Sequence, residues 1–172
     1  MIQPLSDITV IDASSYISGP FCTKYLADMG ATVIKVESPH GGDVSRRMSP
    51  FYQDTPSSDG SGVFLFMNAN KQGITLDFDT ATGRRIFREL IAKADVFVED
   101  FHPDYLPSLG LSYDDLAAIN DQLIVTSITP FGQTGPYIDM LGDEIVLLAT
   151  KSRVLVATTA YWSTIRHWRL RY

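Results

Sequence analysis

Ile8-Thr-Val-Ile-Asp12, then Ser18-Gly-Pro-Phe-Cys-Thr-Lys-Tyr-Leu-Ala-Asp-Met-Gly30, then Thr32-Val-Ile-Lys-Val36 follow one another with only short gaps. The first and last stretches are short, β-branched and bounded by polar residues, as buried strands are. Between them, Pro20 suits the first turn of a helix, where its missing N–H costs nothing. Residues 21–29 read as that helix, and Gly30 suits the left-handed position just past its end. Strand, helix, strand over roughly 30 residues is a βαβ unit with a right-handed crossover.

The same alternation continues outward. Residues 38–62 are rich in Pro, Gly and Ser and read as a long functional loop. Ile74-Thr-Leu-Asp-Phe78 alternates like a half-buried strand. Asp79 or Thr80 then caps a helix to about residue 94, with Ile86, Leu90, Ile91 and Ala94 at helical spacing. Residues 96–100 form another strand, Ser112-Tyr-Asp-Asp115 reads as a capping box for a helix to about residue 119, and residues 123–128 form a last strand. Alternating elements of this kind predict an α/β fold, a Rossmann-like, mostly parallel sheet with flanking helices.

Composition narrows the class. The chain has 172 residues, 45% apolar and 20% charged, with one cysteine. That describes a globular chain, with no internal disulfide and a reducing, cytoplasmic setting. The N-terminus has no signal-peptide pattern, and no apolar run approaches the ~20 residues of a membrane span. A net charge of −6 argues against a nucleic-acid partner. Charge is uneven, however. All 20 acids lie at or before Glu144, whereas Lys151, Arg153, Arg166, Arg169, Arg171 and both tryptophans follow it. The composition therefore divides the chain into residues 1–149 and a basic, aromatic tail at 150–172.

Several chemical signatures are missing: the G-x-G-x-x-G fingerprint after the first strand, Walker A, H-E-x-x-H and G-x-S-x-G. The three histidines and Cys22 have no metal-ligand spacing. What remains is a set of polar strings near strand ends. They are Ser18-Gly-Pro-Phe-Cys22, Gly41-Gly-Asp-Val-Ser-Arg46, Asn68-Ala-Asn-Lys71 and Phe131-Gly-Gln-Thr-Gly-Pro-Tyr137. Each taken singly reads as a helix start or a solvated turn.

In order, these strings join A-D-M-G-A-T-V-I-K-V-E, I-T-L-D, A-D-V-F-V-E-D-F and L-G-L-S-Y-D-D-L. The succession resembles the class III CoA-transferases, the CaiB/BaiF family, which also includes 2-methylacyl-CoA racemases. The resemblance runs from about Leu5 to about Ala149. It implies a Rossmann-like large domain of which this is the incomplete N-terminal portion, a further small domain, and an interlocked homodimer. It implies transfer of CoA from an acyl-CoA thioester to a small carboxylic acid, with CoA as substrate rather than as a resident cofactor. By position, Tyr16, Ile17, Gly19 and Pro20 match a segment lining the thioester site. Asn70 and Lys71 match a segment near CoA, and Asp100 and Phe101 match an Asn-Phe pair that touches it. Glu144 matches an acidic position, a candidate secondary acid. Asp143 stands where racemases have His, which favours the transferase branch.

The departures are informative. Gln72, His102, Ser38 and Ser108 stand where the family often has basic residues, so fewer cations face a polyanionic ligand. The family's nucleophile is an aspartate that attacks the thioester to form a mixed anhydride, and no residue here matches it. The expectation is a chain that stops before that aspartate and lacks turnover. The tail at 150–172 reads as foreign to the family, as a frameshift or misplaced gene end would leave. A short natural variant or a basic membrane-surface segment are the other readings of it. The rival functions are a non-catalytic CoA-, nucleotide- or partner-binding module, and a nucleotide-dependent oxidoreductase, which the absent glycine fingerprint disfavours.

Overall fold

The computed structural model describes residues 3–140 and Gly142. The expected division at 149/150 and Glu144 lie outside them. The chain divides into a unit ending at Thr129 and a second beginning at Pro130.

The first unit is built on five strands: β1 (Thr9–Asp12), β2 (Thr32–Glu37), β3 (Gln72–Thr75), β4 (Val96–Glu99) and β5 (Ile124–Ser127). All neighbours are parallel and the order is β3-β2-β1-β4-β5. The chain therefore builds outward from β1 on one side, then crosses to β4 on the other. The reversal falls between β1 and β4.

Helix α1 (Ser18–Asp28) starts one turn earlier than its apolar residues suggest. Phe21 N donates to Ile17 O at 2.8 Å. The first intrahelical bond thus comes just after Pro20, which occupies a turn that needs no N–H. Gly30 takes φ 103°, the left-handed position past the helix end. The long loop carries two 3₁₀ turns (Val44–Arg47 and Tyr52–Asp54) and helix α2 (Gly62–Met67). α2 is capped by Ser61, whose hydroxyl accepts from Phe64 N.

Helix α3 (Ala81–Ile91) is capped by Thr80, whose Oγ1 accepts from Gly83 N at 3.0 Å. Phe87 and Ile91, one turn apart, are both fully buried. The short helices α4 (Tyr105–Ser108) and α5 (Tyr113–Ala117) follow, α5 with the expected reciprocal Ser112–Asp115 box. Asn120 Nδ2 donates to Ile91 O and Ala94 O, closing the end of α3 from 26 or more residues away.

Alternation along each strand sends residues to two faces. Val10, Val33 and Val98 pack with Ala27 and Ala31 on the α1 side. Ile11, Val36 and Phe97 pack with Phe87, Ile91, Leu106, Leu111 and Leu116 on the other. Phe87 anchors that larger core, edge-on to Phe78 at 4.9 Å and to Phe97 at 5.1 Å. Burying a ring of that size contributes about 1.5–3 kcal/mol.

The third strand differs from expectation. It spans Gln72–Thr75, not residues 74–78. Leu76 and Phe78 are buried as the alternation requires; Leu76 N still donates to Glu37 O at 2.9 Å at the end of β2, and Phe78 turns into the core after the chain has left the sheet. Alternation reports burial, and here burial outlasts pairing. In the second unit, Gly132 and Gly135 take φ 88° and 110°, and Ile138 N donates to Gly135 O. The Phe-Gly-Gln-Thr-Gly-Pro-Tyr string is a turn, with Phe131 and Tyr137 rings 6.1 Å apart. Among the described residues, no helix is long and apolar enough to cross a membrane.

Candidate functional site

The carboxyl ends of β1, β2 and β4 meet beside the strand-order reversal, the place where open parallel sheets receive ligands. Unusually many charges are buried there. Asp12 closes β1 and is fully buried. Its Oδ1 accepts from Ser14 N at 3.0 Å, and its Oδ2 accepts from Thr23 Oγ1 at 2.6 Å and from Lys71 Nζ at 2.9 Å. Lys71 Nζ also donates to Pro20 O at 2.9 Å and Asn68 Oδ1 at 3.0 Å. Burial would raise the Asp12 carboxyl, but Lys35, Lys71 and the Ser14 and Thr23 hydroxyls outweigh it and hold it below its ordinary range. Burial pulls the Lys71 ammonium down, against the pull of Asp12.

A second charge chain runs beside the first. Lys35 is a lysine inside a buried strand, donating to Ser14 O and facing Asp43 Oδ2 at 2.8 Å as an ion pair. Asp43 Oδ1 accepts from Ser45 N, Ser45 Oγ, Ser15 Oγ and Tyr16 N at 2.7–3.1 Å. Asp43 N donates to Glu37 Oε2, and Arg46 grips both Glu37 oxygens at 2.7 and 2.8 Å while stacking on Phe64. Burial would raise Asp43 and Glu37 too. Lys35 and the Ser45 donors outweigh it at Asp43, and Arg46 and Asp43 N at Glu37, so both carboxyls are held low.

Glu37 stands at the end of β2, where dinucleotide folds keep an acid for a ribose hydroxyl. Here both its oxygens are taken by Arg46. That occupancy, with the absent glycine fingerprint, speaks against the oxidoreductase reading.

Asp100, just past β4, behaves in the opposite way. Its Oδ2 accepts from Ser15 N at 2.8 Å. Burial pushes its carboxyl up to about 6, beyond what Ser15 N and Lys35 recover, with Asp12 and Glu99 adding to the rise. Glu99 is also raised by burial.

A cavity of about 140 Å³ opens beside these groups. Val36, Leu76, Phe78 and Phe101 form its apolar side, and Ser14, Ser15, Ser38, Asp77 and Asp79 its polar side. Phe101 is held between Phe78 at 5.8 Å and Tyr105 at 4.9 Å.

Of the residues proposed from the sequence, Phe101 lines this cavity, whereas Tyr16, Ile17, Gly19, Pro20, Lys71 and Asp100 lie around the carboxyl ends of β1 and β4 outside its lining. Tyr16 has φ 69° and an exposed ring. Ile17 precedes the first residue of α1. Gly19 is buried so close to the preceding loop that a Cβ would lie 2.1 Å from Ser14 Oγ. Pro20 offers its carbonyl to Lys71, Asp100 follows β4 and accepts from Ser15 N, and Phe101 lines the cavity. Asn70 stands apart, its amide donating to Asp28 Oδ1 at the far end of α1. Lys71 is engaged inward by three oxygens. Lys35 and Glu37 carry no role in the sequence reading, and Asp43 enters it only within the Gly41-to-Arg46 string. Their signal was a lysine in an otherwise β-branched strand, which a parallel sheet tolerates only when it is paired. Among the described residues, no cluster of His, Cys, Asp and Glu is placed to hold a metal.

With this geometry in place, comparison with known proteins is specific. The CoA-transferase family III profile matches residues 5–161. The chain is 41% identical over 149 residues to succinyl-CoA:(R)-benzylsuccinate CoA-transferase subunit BbsE of Thauera aromatica, covering 87% of this chain and 36% of that protein. It is 38% identical over 162 residues to formyl-CoA:oxalate CoA-transferase of Escherichia coli O6:H1, covering 94% and 38%. A crystal structure of a CAIB/BAIF family protein from Brucella suis superposes with a TM-score of 0.79 at 40% identity, over 87% of this chain and 39% of that one. The chain thus spans well under half the length of the relatives it matches.

Proposed function

This chain belongs to CoA-transferase family III, and from that premise we propose that it supplies the CoA-facing crevice of an enzyme moving coenzyme A from an acyl-CoA thioester to a small carboxylic acid. One observation carries the reading: a part-apolar, part-polar cavity at the carboxyl ends of β1 and β2, next to the reversal between β1 and β4. Val36, Leu76, Phe78 and Phe101 suit the face of an adenine. The thiol arm then runs along Tyr16 and Ile17, with Gly19 and Pro20 as its wall. First-turn N–H groups of α1 meet the thioester oxygen as charge develops on it.

The transfer needs a nucleophilic carboxylate. Its oxygen attacks the thioester carbonyl carbon, the C–S bond breaks, and CoA leaves as thiolate. The thiolate then attacks the enzyme's half of the anhydride, releasing the donor carboxylate and leaving an enzyme–CoA thioester. The acceptor carboxylate attacks that thioester, expels the thiolate, and is attacked by it in turn at its own half of the new anhydride, which frees the enzyme carboxylate. Asp12, Glu37 and Asp43 already have their oxygens committed to buried cations and donors. We assign the nucleophile to family sequence not represented in this stretch, so the chain by itself binds CoA without turnover.

Calorimetric titration with CoA tests the first part, and mass spectrometry of succinyl-CoA incubated with the chain and a second carboxylic acid tests the other. Saturable one-to-one CoA binding without acyl exchange is expected. No binding at millimolar CoA refutes the crevice, and exchange by the chain itself overturns the assignment of the nucleophile. A second reading, a non-catalytic nucleotide- or partner-binding module, draws on the carboxylates Glu37, Asp43, Asp77 and Asp79 around the cavity, which disfavour a polyanion. Adenosine binding as tightly as adenosine 3′,5′-bisphosphate would favour it.

A further inference from the structure

We propose that Asp43 is a positioning residue that locks the loop between β1 and α1 into its ligand-receiving shape. This rests on the CoA reading and adds a residue and a mechanism to it. Tyr16 is a bulky residue at φ 69°. Non-glycine residues are strained there and stay only when their surroundings hold them. Asp43 provides the hold. One of its oxygens accepts from Tyr16 N and Ser15 Oγ, both at 3.1 Å. Ser15 Oγ in turn accepts from Val44 N at 3.2 Å. On the neighbouring residue, Lys35 donates to Ser14 O while facing the other Asp43 oxygen.

Asp43 is itself immobilised, being 3% exposed and tethered through its N–H to Glu37, which Arg46 clamps. The loop after β1 and strand β2 thus meet on the carboxylate of the Gly-Gly-Asp turn. In that loop its contacts fall on Ser15 and Tyr16, where the stretch assigned to the thiol arm begins. On the cavity side it contributes wall but holds none of Leu76, Phe78 or Phe101.

That asymmetry gives a test. Dissociation constants are measured for CoA and for adenosine 3′,5′-bisphosphate, which lacks the thiol arm, on the full chain and on Asp43→Ala. Any change in the cavity wall acts on both ligands, so loss of the lock should lower CoA affinity relative to bisphosphate affinity roughly tenfold or more. Glycine tolerates the left-handed region, so introducing Tyr16→Gly into the Asp43→Ala chain should restore much of the CoA affinity relative to Tyr16→Gly by itself. Equal weakening of both ligands, or of neither, overturns the proposal, as does absence of rescue. If Asp43→Ala does not fold, Ser15→Ala decides, because it removes the Ser15 link without leaving Lys35 unpaired. A selective loss of CoA affinity supports the lock, and a parallel or absent loss refutes it. A wild-type chain that binds neither ligand defeats the CoA reading instead.

Discussion

Asp100→Asn changes one atom and removes one charge, and its effect on stability should depend on pH. The Asp100 carboxyl accepts from Ser15 N at 2.8 Å, and an amide oxygen can take over that bond. Burial lifts its pKa from 3.8 to about 6, with Asp12 and Glu99 adding to the rise and Ser15 N and Lys35 opposing it. The folded chain therefore holds this proton to higher pH than the unfolded chain does. The stability so gained is complete below an unfolded pKa near 3.8 and is lost as pH rises through about 6. Above that, the folded protein carries an ionised, half-buried carboxylate that the variant lacks. The shift corresponds to about 3 kcal/mol at ~1.36 kcal/mol per unit, and partial exposure trims this toward about 2. Urea unfolding followed by circular dichroism should find the two chains nearly equal at about pH 3.5 and the variant more stable by roughly 2 kcal/mol at about pH 7.5. A difference that stays flat across that range would refute the reasoning, because it would mean Asp100 titrates alike in folded and unfolded chains.

The remaining predictions use the same unfolding assay. Gly19→Ala would place a Cβ 2.1 Å from Ser14 Oγ, so α1 must shift and roughly 1–3 kcal/mol should be lost; an unchanged midpoint would show that the loop yields freely. Lys71→Met removes the ion-pair partner of the buried Asp12 carboxylate, leaving it Lys35 and the Ser14 and Thr23 donors, and should cost about 3 kcal/mol at neutral pH. Asp12, Glu37 and Asp43 are held below their ordinary values, so their stabilisation is present above about pH 4 and lost as pH falls through the lowered values. Lys71→Met should therefore flatten the acid limb of the stability profile, and an acid limb of wild-type steepness would contradict this. Thr80→Ala removes the cap on Gly83 N and should cost about 1 kcal/mol with little change in ligand affinity.

Much of the fold could be read along the chain because its signals are local. The β-branched runs at residues 9–12, 32–37 and 96–99, the glycine past α1, the Thr80 cap and the Ser112–Asp115 box each act within a few residues. Hydrogen bonding and side-chain periodicity operate over that distance. The third strand lies two residues earlier than residues 74–78 because burial continues to Phe78 after pairing with β2 has ended. Tyr16, Ile17, Gly19, Pro20, Asp100 and Phe101 were reachable from family resemblance. Lys35 and Asp43 were visible only as a lysine in an apolar strand and an aspartate in a glycine turn.

The amino-acid sequence by itself determined the alternation of strands and helices, the caps that bound them and the membership in CoA-transferase family III. Tertiary structure decided the order β3-β2-β1-β4-β5, the reversal between β1 and β4 and the cavity at the carboxyl ends of β1 and β2 beside it. It also decided which buried charges meet: Asp12 with Lys71 across 59 residues, and Asp43 with Lys35 and Tyr16. The physical reason is range. Capping and periodicity are settled between near neighbours, whereas an ion desolvated in a core accepts whichever partner the packed sheet brings within reach.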